Sequence, residues 1–424
     1  MAINISVRRL NRLHEVSKDG LILLILTQVE AKDGVTVPTI VNSVLELHDK
    51  FEVRTSVDPG EPDEPAGPVL AGLYQMYTAE YLLSTGATLL VYPTEAAGAF
   101  TINTDGPNLL DIEELDYKLI LAPYTFIEGQ EADSEELAAN IEELAKLVQS
   151  TDGTGSTTGC LNLSAQLFLD LKLDDIFESN AKLTEATKAL LNQVRPTAKI
   201  EVYANSGPAN FYSKVTGLPT FGTYGFVGVP ASAIAAARKA KLLRDKMPFI
   251  PVAGKDNGAV AEITTLYKKL STFEKEELQA NNINVLTTKL GLGPLFVSQN
   301  TMAPSDDPRE PLRRSHAVTL ALWFKREVVK AAYEFEHTPN NTKSWALLEL
   351  KLRKLFDNIY EAGGLEERAK ILLGRATTSA NDIKEGKLNI IGNFIPVNVL
   401  REININLNII GETNTIEAVI GGGI

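Results

Sequence analysis

The stretch Ala79-Glu-Tyr-Leu-Leu-Ser-Thr-Gly-Ala-Thr-Leu-Leu-Val-Tyr92 passes from a helical pattern, through one glycine turn, into a short β-rich run. Similar changes recur between residues 68 and 302. The pattern predicts helices at 70–84, 135–149, 183–193, 231–246 and 273–280. It predicts strands at 88–92, 117–122, 199–203, 283–287 and 294–298. Because helices alternate with short strands, we predict an α/β domain over residues 69–302, with helices on the faces of a mainly parallel sheet.

The residues before this domain follow a different pattern. Ile3, Ile5 and Val7 alternate with polar residues, which predicts a half-buried strand, and a second strand is predicted at 21–29. The run Val57-Asp-Pro-Gly-Glu-Pro-Asp-Glu-Pro-Ala-Gly-Pro68 is rich in proline and acidic residues, which disfavour both helix and strand. We therefore predict an N-terminal strand arm and β region over residues 1–68 that ends in a proline-rich linker.

The residues after the α/β domain are predicted to form an α+β unit. Long helical patterns cover 313–336 and 342–362, and a third, shorter helix is predicted at 365–376. A strand of about 30 Å follows, with alternate residues on one apolar face. Its apolar positions are Ile403, Ile405, Leu407 and Ile409. We predict a C-terminal helical and β-hairpin domain over residues 303–411 and an arm over residues 412–424, whose last alternating positions are Ile416, Ala418 and Ile420.

Composition limits the classes of function. The 424 residues carry 41 basic and 54 acidic side chains, a formal net charge of −13. Nucleic-acid binding needs an excess of basic residues on at least one face, so we expect no direct nucleic-acid partner. Cys160 is the one cysteine and cannot form an intrachain disulfide. The first residues lack a secretory signal pattern and the longest apolar run, 21–26, is too short to span a bilayer, so we expect cytosolic folding and no membrane insertion.

Residues that could carry chemistry are scarce. The four histidines, His14, His48, His316 and His337, lack the spacing of a zinc site. The run Gly153-Thr-Gly-Ser-Thr-Thr-Gly159 lacks the Lys-Ser/Thr ending of a phosphate-binding loop, and no Gly-x-Ser-x-Gly motif occurs. We therefore predict no catalytic residue, metal or cofactor, and the pattern favours a structural protein over an enzyme.

Several segments become informative when they are taken in their order along the chain. They are Val37-Pro-Thr-Ile-Val-Asn-Ser-Val-Leu-Glu-Leu-His-Asp-Lys-Phe51, Ala79 to Tyr92, Tyr117-Lys-Leu-Ile-Leu-Ala-Pro123, Val229-Pro-Ala-Ser-Ala-Ile-Ala-Ala-Ala-Arg238, Met247-Pro-Phe-Ile-Pro-Val-Ala-Gly-Lys-Asp-Asn-Gly258, Leu278-Gln-Ala-Asn-Asn-Ile-Asn-Val-Leu286, Arg313-Arg314 and Gly386-Lys-Leu-Asn-Ile-Ile-Gly-Asn-Phe-Ile-Pro396. In this order they resemble the tail sheath proteins of contractile bacteriophages and related contractile injection systems.

The resemblance implies a subtilisin-like α/β sheath domain, a C-terminal domain that faces an inner tube, and extended terminal strands. It implies a subunit of stacked hexameric rings that contract from a metastable extended state and drive the tube through a target envelope. The implied partners are further copies of the chain, the inner tail tube protein, and baseplate and tail terminator proteins. The implied location is a virion tail, assembled in the host cytoplasm.

Both termini are candidates for contacts between subunits, because an unpaired strand edge can pair with a strand of another chain. With the resemblance, we predict that the strands of Ile3, Ile5 and Val7 and of Ile416, Ala418 and Ile420 add to a neighbouring subunit's 403–409 hairpin. Gly411 and Gly421 are the candidate hinges. The alternative is that both termini complete the sheet of their own subunit.

The candidate contacts to the tube are basic residues of the C-terminal domain. They are Lys351, Arg353, Lys354, Arg368, Lys370 and Arg375. The alternative is a solvated helix surface balanced by Glu349, Glu366 and Glu367. For the whole chain, the alternatives are the sheath of a non-viral injection device, which neighbouring genes would distinguish, a soluble α/β enzyme, and a tube or adaptor protein.

Overall fold

Strands and helices alternate along most of the chain. The structure is a computed structural model that describes residues 2–6, 20–35, 37–54, 67–94, 117–123, 165–171, 173, 176–194, 198–215, 228–303, 310–335, 337–398, 405–410 and 415–420. The strands are β1 (Ala2–Ser6), β2 (Leu21–Leu26), β3 (Val29–Ala31), β4 (Thr39–Val41), β5 (Phe51–Val53), β6 (Thr88–Pro93), β7 (Leu119–Leu121), β8 (Gln166–Leu171), β9 (Ile200–Ala204), β10 (Ser206–Gly207), β11 (Val229–Pro230), β12 (Asn284–Lys289), β13 (Gly293–Phe296), β14 (Lys370–Leu372), β15 (Asn389–Asn393), β16 (Ile405–Ile410) and β17 (Thr415–Ile420).

The helices differ widely in length. They are α1 (Val44–Lys50), α2 (Gly67–Ser84), α3 (Glu185–Val194), α4 (Ala231–Arg244), α5 (Gly254–Asn257), α6 (Thr272–Ala280), α7 (Ser315–Tyr333), α8 (Thr342–Glu361) and α9 (Ala380–Lys384). Short 3-10 turns lie at Glu310–Arg313 and Gly374–Ala376. The predicted helix at 135–149 and Cys160 lie outside the described residues.

A central sheet has the strand order β13-β12-β9-β8-β7-β2-β6-β4. The inner strands from β12 to β6 are parallel, and the edge strands β13 and β4 are antiparallel to their neighbours. Every residue of β2 and of β8 is buried, which is typical of parallel strands covered on both faces. The predicted α/β class with a mainly parallel sheet is therefore confirmed.

Alternate residues of each strand enter two separate hydrophobic cores. Ile22, Leu24 and Leu26 pack in the core that includes α2 and α4, whereas Leu21, Leu23 and Ile25 pack in the core on the opposite face. Helix α4 is rich in alanine, which has the highest helix propensity and lets a helix approach a sheet closely. The sheet therefore has helices on both faces, as the α/β pattern predicts.

Three strands of this sheet, β2, β4 and β8, lie outside the strands predicted for the α/β domain. β2 belongs to the predicted N-terminal region 1–68, yet it lies inside the sheet, with Leu23 opposite both Leu90 of β6 and Ile120 of β7. β8 is missing from the predicted strands because Gln166 and Asp170 interrupt its apolar run. Both polar side chains are buried and bind partners from distant segments, which local sequence does not reveal.

The C-terminal part packs α7 and α8 against a sheet of order β1-β15-β14. Helix α8 begins at the N-cap Asn341, whose side chain accepts hydrogen bonds from the amides of Lys343 and Ser344. Its buried residues, Leu348, Leu352, Phe356 and Ile359, recur at helical spacing and face α7 and the sheet. The two long helices predicted here are therefore present.

The third helix predicted in this part, 365–376, is wrong. Strand β14 occupies its centre and pairs with β15, with Ile371 opposite Gly392. Ile371 is buried whereas its neighbours Lys370 and Leu372 are exposed, which is the period of a strand. Gly374 then adopts a φ of +76° and packs on the ring of Trp345, where a side chain would collide. An edge strand and a glycine turn therefore replace the helix.

Candidate assembly interface

The strands β16 and β17 form a two-stranded sheet of their own. Ile405 lies opposite Ile420, Leu407 opposite Ala418, and Ile409 opposite Ile416. Directly opposed residues share one face of a sheet, so the six apolar positions singled out on these strands lie on the same face. Neither outer edge of this hairpin is paired within the described chain, and an isolated hairpin is at best marginally stable.

The N-terminal strand β1 pairs with β15 of its own chain. The pairing is antiparallel, with Ile3 opposite Gly392 and Ile5 opposite Ile390. In this single chain, both terminal strands pair with strands of their own chain, β1 with β15 and β17 with β16. This is the pairing of the alternative prediction, in which both termini stay with their own subunit. The same backbone ladder can form between two chains, and exchange remains a prediction. Val7, Ile403, Gly411 and Gly421 lie outside the described residues.

Three of the candidate tube-contact cations have acidic partners in their own chain. Lys351 forms an ion pair with Glu334, next to α7. Arg353 binds Glu349 one turn earlier on α8, with an Nη2–Oε1 distance of 2.6 Å. The Nη1 atom of Arg368 lies 3.4 Å from Oδ1 of Asp357, and its guanidinium lies over the ring of Tyr360. These exposed pairs contribute little to stability but reduce the charge available to a partner.

The other three cations are exposed and pair with no carboxylate in the described part of the chain. They are Lys354 on α8, Lys370 on β14 and Arg375 in the 3-10 turn. Near Lys354, Leu347 and Leu350 are 52% and 67% exposed. These positions point away from the buried stripe of α8, so its outer face combines apolar and basic side chains. The two leucines were not among the predicted contact residues, although their positions outside the apolar stripe of α8 are visible in the sequence.

A buried polar cluster joins the C-terminal part to the central sheet. The ammonium group of Lys239 on α4 lies 2.7 Å from Oε1 of Glu201 on β9. The hydroxyl of Ser315 on α7 donates to the same oxygen, and Thr319 donates to Gln166 of β8 at 2.8 Å. Burial lowers the pKa of Lys239, and Glu201 partly opposes this shift.

Local sequence patterns do not reveal this cluster, because its members are separated by up to 153 residues. All five side chains are buried, so the cluster has no access to a substrate. Its physical effect is to orient α7 against β8, β9 and α4. The local signals are a lysine next to the alanine-rich run of α4 and a threonine among the apolar first turns of α7.

The strand order reverses beside β2, which lies between β6 and β7. In open α/β sheets, ligands bind at the carboxyl ends of the strands where the order reverses. Here the buried side chain of Gln75 bridges this point. It accepts a hydrogen bond from the amide of Gln28 at 2.9 Å and donates to the hydroxyl of Thr27 at 2.9 Å and the carbonyl of Pro123 at 3.4 Å. These hydrogen bonds tie the residues that follow β2 to the residue that follows β7 at this edge of the sheet.

In the part of the chain that the structure describes, no group of three or more His, Cys, Asp or Glu side chains could hold a metal ion. None of the helices described is both long and apolar enough to cross a bilayer.

The architecture matches that of sheath proteins from contractile machines. A structure of the anti-feeding prophage baseplate aligns with 94% of this chain and 94% of its own, at 16% identity and a TM-score of 0.60. The contracted sheath complex of PVC, an extracellular contractile injection system, aligns over 95% and 96% of the two chains, at 13% identity and a TM-score of 0.60. A sheath tail protein from Listeria innocua aligns over 91% and 93%, at 10% identity and a TM-score of 0.51.

The chain thus has the fold of contractile sheath proteins. The sheaths of the anti-feeding prophage and of PVC are among the solved structures that share this fold. The resemblance predicted from the order of sequence segments is confirmed at the level of the fold. No protein-family model and no curated protein sequence matches the chain.

Proposed function

We propose that this protein is the structural subunit of a contractile sheath. The observation that carries the proposal is the shared fold over nearly the whole chain, at a TM-score of 0.60 with two injection-system structures. In this proposal, hexameric rings stack around an inner tube and contract from a metastable extended state to drive the tube through a target envelope. The proposed partners are further copies, the tube protein, and baseplate and terminator proteins.

The structural neighbours favour a contractile injection system, and a bacteriophage tail is the second candidate. A phage sheath would assemble in the host cytoplasm and reside in the virion tail. Genes for a capsid and for DNA packaging beside this gene would identify a phage, and their absence from a complete cluster would identify an injection device. A soluble α/β enzyme is disfavoured by the similarity to structural sheath proteins.

We further propose how the domains divide this work. The α/β unit is the counterpart of the predicted subtilisin-like sheath domain, residues 303–411 face the tube, and residues 412–424 link subunits. The unpaired edges of the β16–β17 hairpin support strand exchange between subunits, since each can accept a strand from another chain. Backbone ladders of this kind can stay intact while the rigid parts of neighbouring subunits repack.

Deletion of residues 412–424 is expected to abolish self-assembly. The deletion removes β17, so β16 loses its partner and a neighbour loses the strand that would link the subunits. The measurement is negative-stain electron microscopy of the purified protein, in which the full chain should form long hollow cylinders. The matched control deletes only residues 421–424, keeps β17 and should still form cylinders. Cylinders of unchanged length from the longer deletion would contradict the linking role.

Charge reversal of Lys354, Lys370 and Arg375 to Glu is expected to weaken binding to the tube. These are the candidate contact residues that lack acidic partners in the described chain, so their charges are free for an acidic tube surface. The yield of sheath on purified tubes should fall, and wild-type binding should weaken as salt increases.

The control for this experiment makes the same charge change elsewhere. Lys241, Lys246 and Lys255 are exposed on the α/β unit, and their reversal to Glu should leave the yield on tubes unchanged. Equal losses from both triple variants would indicate a general effect of net charge. A normal yield from the first variant would remove these residues from the interface.

A further inference from the structure

The hairpin of β12 and β13 ends in an exposed apolar turn. Leu290 is fully exposed and Leu292 is 39% exposed. Gly291 and Gly293 adopt φ values of +78° and +72°, which favour glycine, so the sharp turn leaves both leucines on its outside. Turns at a protein surface are normally polar, because exposed apolar side chains gain nothing from burial. Two leucines in one turn therefore indicate that another protein surface covers it.

Unpaired lysines accompany this turn, residues 289–292, which we call the leucine tip. Neither Lys289 nor Lys269 pairs with a carboxylate in the described part of the chain. Lys269 lies in the segment that the side chain of Asn205 ties to β12 by hydrogen bonds of 2.9 and 3.0 Å. The leucine tip thus combines exposed apolar side chains with positive charge.

The opposite end of the central sheet carries exposed acidic residues. Glu30 of β3 lies directly opposite Glu52 of β5, and both side chains are exposed. Opposed residues share one face of a sheet, so these like charges repel each other. Asp49, also exposed, lies on α1 one turn after Leu45, which is 59% exposed. We call these four residues the acidic corner.

Basic residues of the same segments bind other groups. The ammonium group of Lys50 lies 2.7 Å from Glu46, and that of Lys32 donates to a backbone carbonyl of α1 at 2.7 Å. Arg54 donates from its Nε to a backbone carbonyl of β3 at 3.3 Å. The three carboxylates of the acidic corner have no basic partner among the described residues. A cation from another chain would therefore relieve their repulsion.

The two surfaces lie too far apart to meet within one chain. The acidic corner lies at the β4 end of the sheet, where the ammonium group of Lys50 at the end of α1 is 3.4 Å from the carbonyl of Ile40. β12 and β13 form the other end. Eight strands spaced by about 4.8 Å place the two edges about 34 Å apart.

We propose that the leucine tip of one subunit binds the acidic corner of a second copy of this chain. In this contact Leu290 packs on Leu45, and Lys289 pairs with Asp49 beside the opposed glutamates. Opposite charges and two exposed leucines make the surfaces complementary. The inference rests on the proposed sheath function and extends it, because it assigns a subunit contact to the α/β unit, apart from the terminal strands and the basic residues proposed to face the tube.

The location of the two surfaces at opposite ends of the sheet defines the type of contact. Two different surfaces of one protein form a heterologous contact, which repeats from copy to copy and generates a ring or a helix. The proposed contact therefore suits the ring assembly of a sheath.

Crosslinking between cysteines tests which surfaces meet. Cys160→Ser removes the one native cysteine, and Leu45→Cys or Leu290→Cys is then added at an exposed position. Cylinders assembled from an equal mixture of the two single variants are treated with a short bismaleimide and analysed by denaturing electrophoresis. The mixture should give covalent dimers, and a chain with both cysteines should give a ladder of longer products. Each single variant alone should stay monomeric, because a head-to-tail contact does not join two identical sites.

The outcomes separate this contact from the proposed function. Crosslinks within either single variant would overturn the head-to-tail arrangement. Intact cylinders without crosslinks in the mixture would overturn the contact and leave the sheath function standing. A full chain that stays monomeric would overturn both, because both require association of copies.

Exchange of charges tests the pairing of Lys289 with Asp49. Lys289→Glu should raise the protein concentration needed for assembly by at least about tenfold, because like charges then face each other. Adding Asp49→Lys to the same chain restores opposite charges and should return this concentration to within about threefold of the wild-type value. The matched control Lys246→Glu, at an exposed lysine of the α/β unit, should assemble as the wild type does. Equal defects in the single and double variants would overturn the pairing.

Discussion

Lys239→Met is expected to destabilise the folded chain by about 3–5 kcal/mol. The substitution removes the ammonium group that lies 2.7 Å from Glu201 and leaves that carboxylate buried without its counter-ion. Methionine has an unbranched apolar side chain without the charge, so the loss reports mainly on the ammonium group, which lies 5.3 Å from the centroid of the Phe168 ring. The measurement is urea unfolding of the full chain followed by circular dichroism.

Two further variants distinguish the loss of the Lys239–Glu201 ion pair from nonspecific destabilisation by the substitution. The double variant Lys239→Met, Glu201→Gln should recover part of the lost stability, since it leaves no uncompensated charge inside the protein. Lys188→Met removes an ion pair with the exposed Glu185 and should leave the unfolding midpoint unchanged. A double variant less stable than Lys239→Met would show that the neutral hydrogen bonds to Glu201 matter more than its charge.

Phe324→Ala is expected to cost about 3–5 kcal/mol and to loosen the C-terminal part selectively. The Phe324 ring on α7 stacks on Phe356 of α8, with 3.9 Å between ring centroids and an interplanar angle of 12°. It also lies 4.9 Å from the ring of Phe394, just after β15. Its removal opens a cavity where the two helices and the sheet meet.

Fluorescence of Trp323 should report this loosening, because its indole lies 5.4 Å from the Phe324 ring. Leu350→Ala is the control on the same helix pair. That side chain is mostly exposed, so its loss should change stability by no more than about 0.5 kcal/mol. Similar unfolding midpoints for the two variants would mean that the aromatic cluster does not hold α7 to α8.

The buried polar cluster and the packed rings of Phe324, Phe356 and Phe394 both affect how the proposed contraction could occur. Ser315 binds Glu201 at the first turn of α7, and Phe324 anchors the middle of that helix to α8. The C-terminal part is therefore attached to the α/β sheet through buried contacts. In the proposed sheath, the terminal strands are then the places where subunits can move relative to one another without breaking a core.

The sequence alone determined the α/β class, most helix positions and the resemblance to sheath proteins. Helix α8 was predicted within one residue at its end, since its buried stripe and Asn341 cap are local features. Strand β6 was also predicted within one residue at its end, and helix α4 within two. These predictions succeeded because periodicity and capping depend on residues only a few positions apart.

The tertiary structure alone decided which segments pair and which charges are free. β2 entered the central sheet, β14 replaced a predicted helix, and β8 formed despite its polar residues. The tertiary structure also separates the basic candidates for tube contact into two groups. Glu334 neutralises Lys351, whereas no described carboxylate reaches Lys354. Strand order, burial of Asp170 and the partners of each charge depend on residues far apart in the chain, and local sequence patterns carry no information about such pairings.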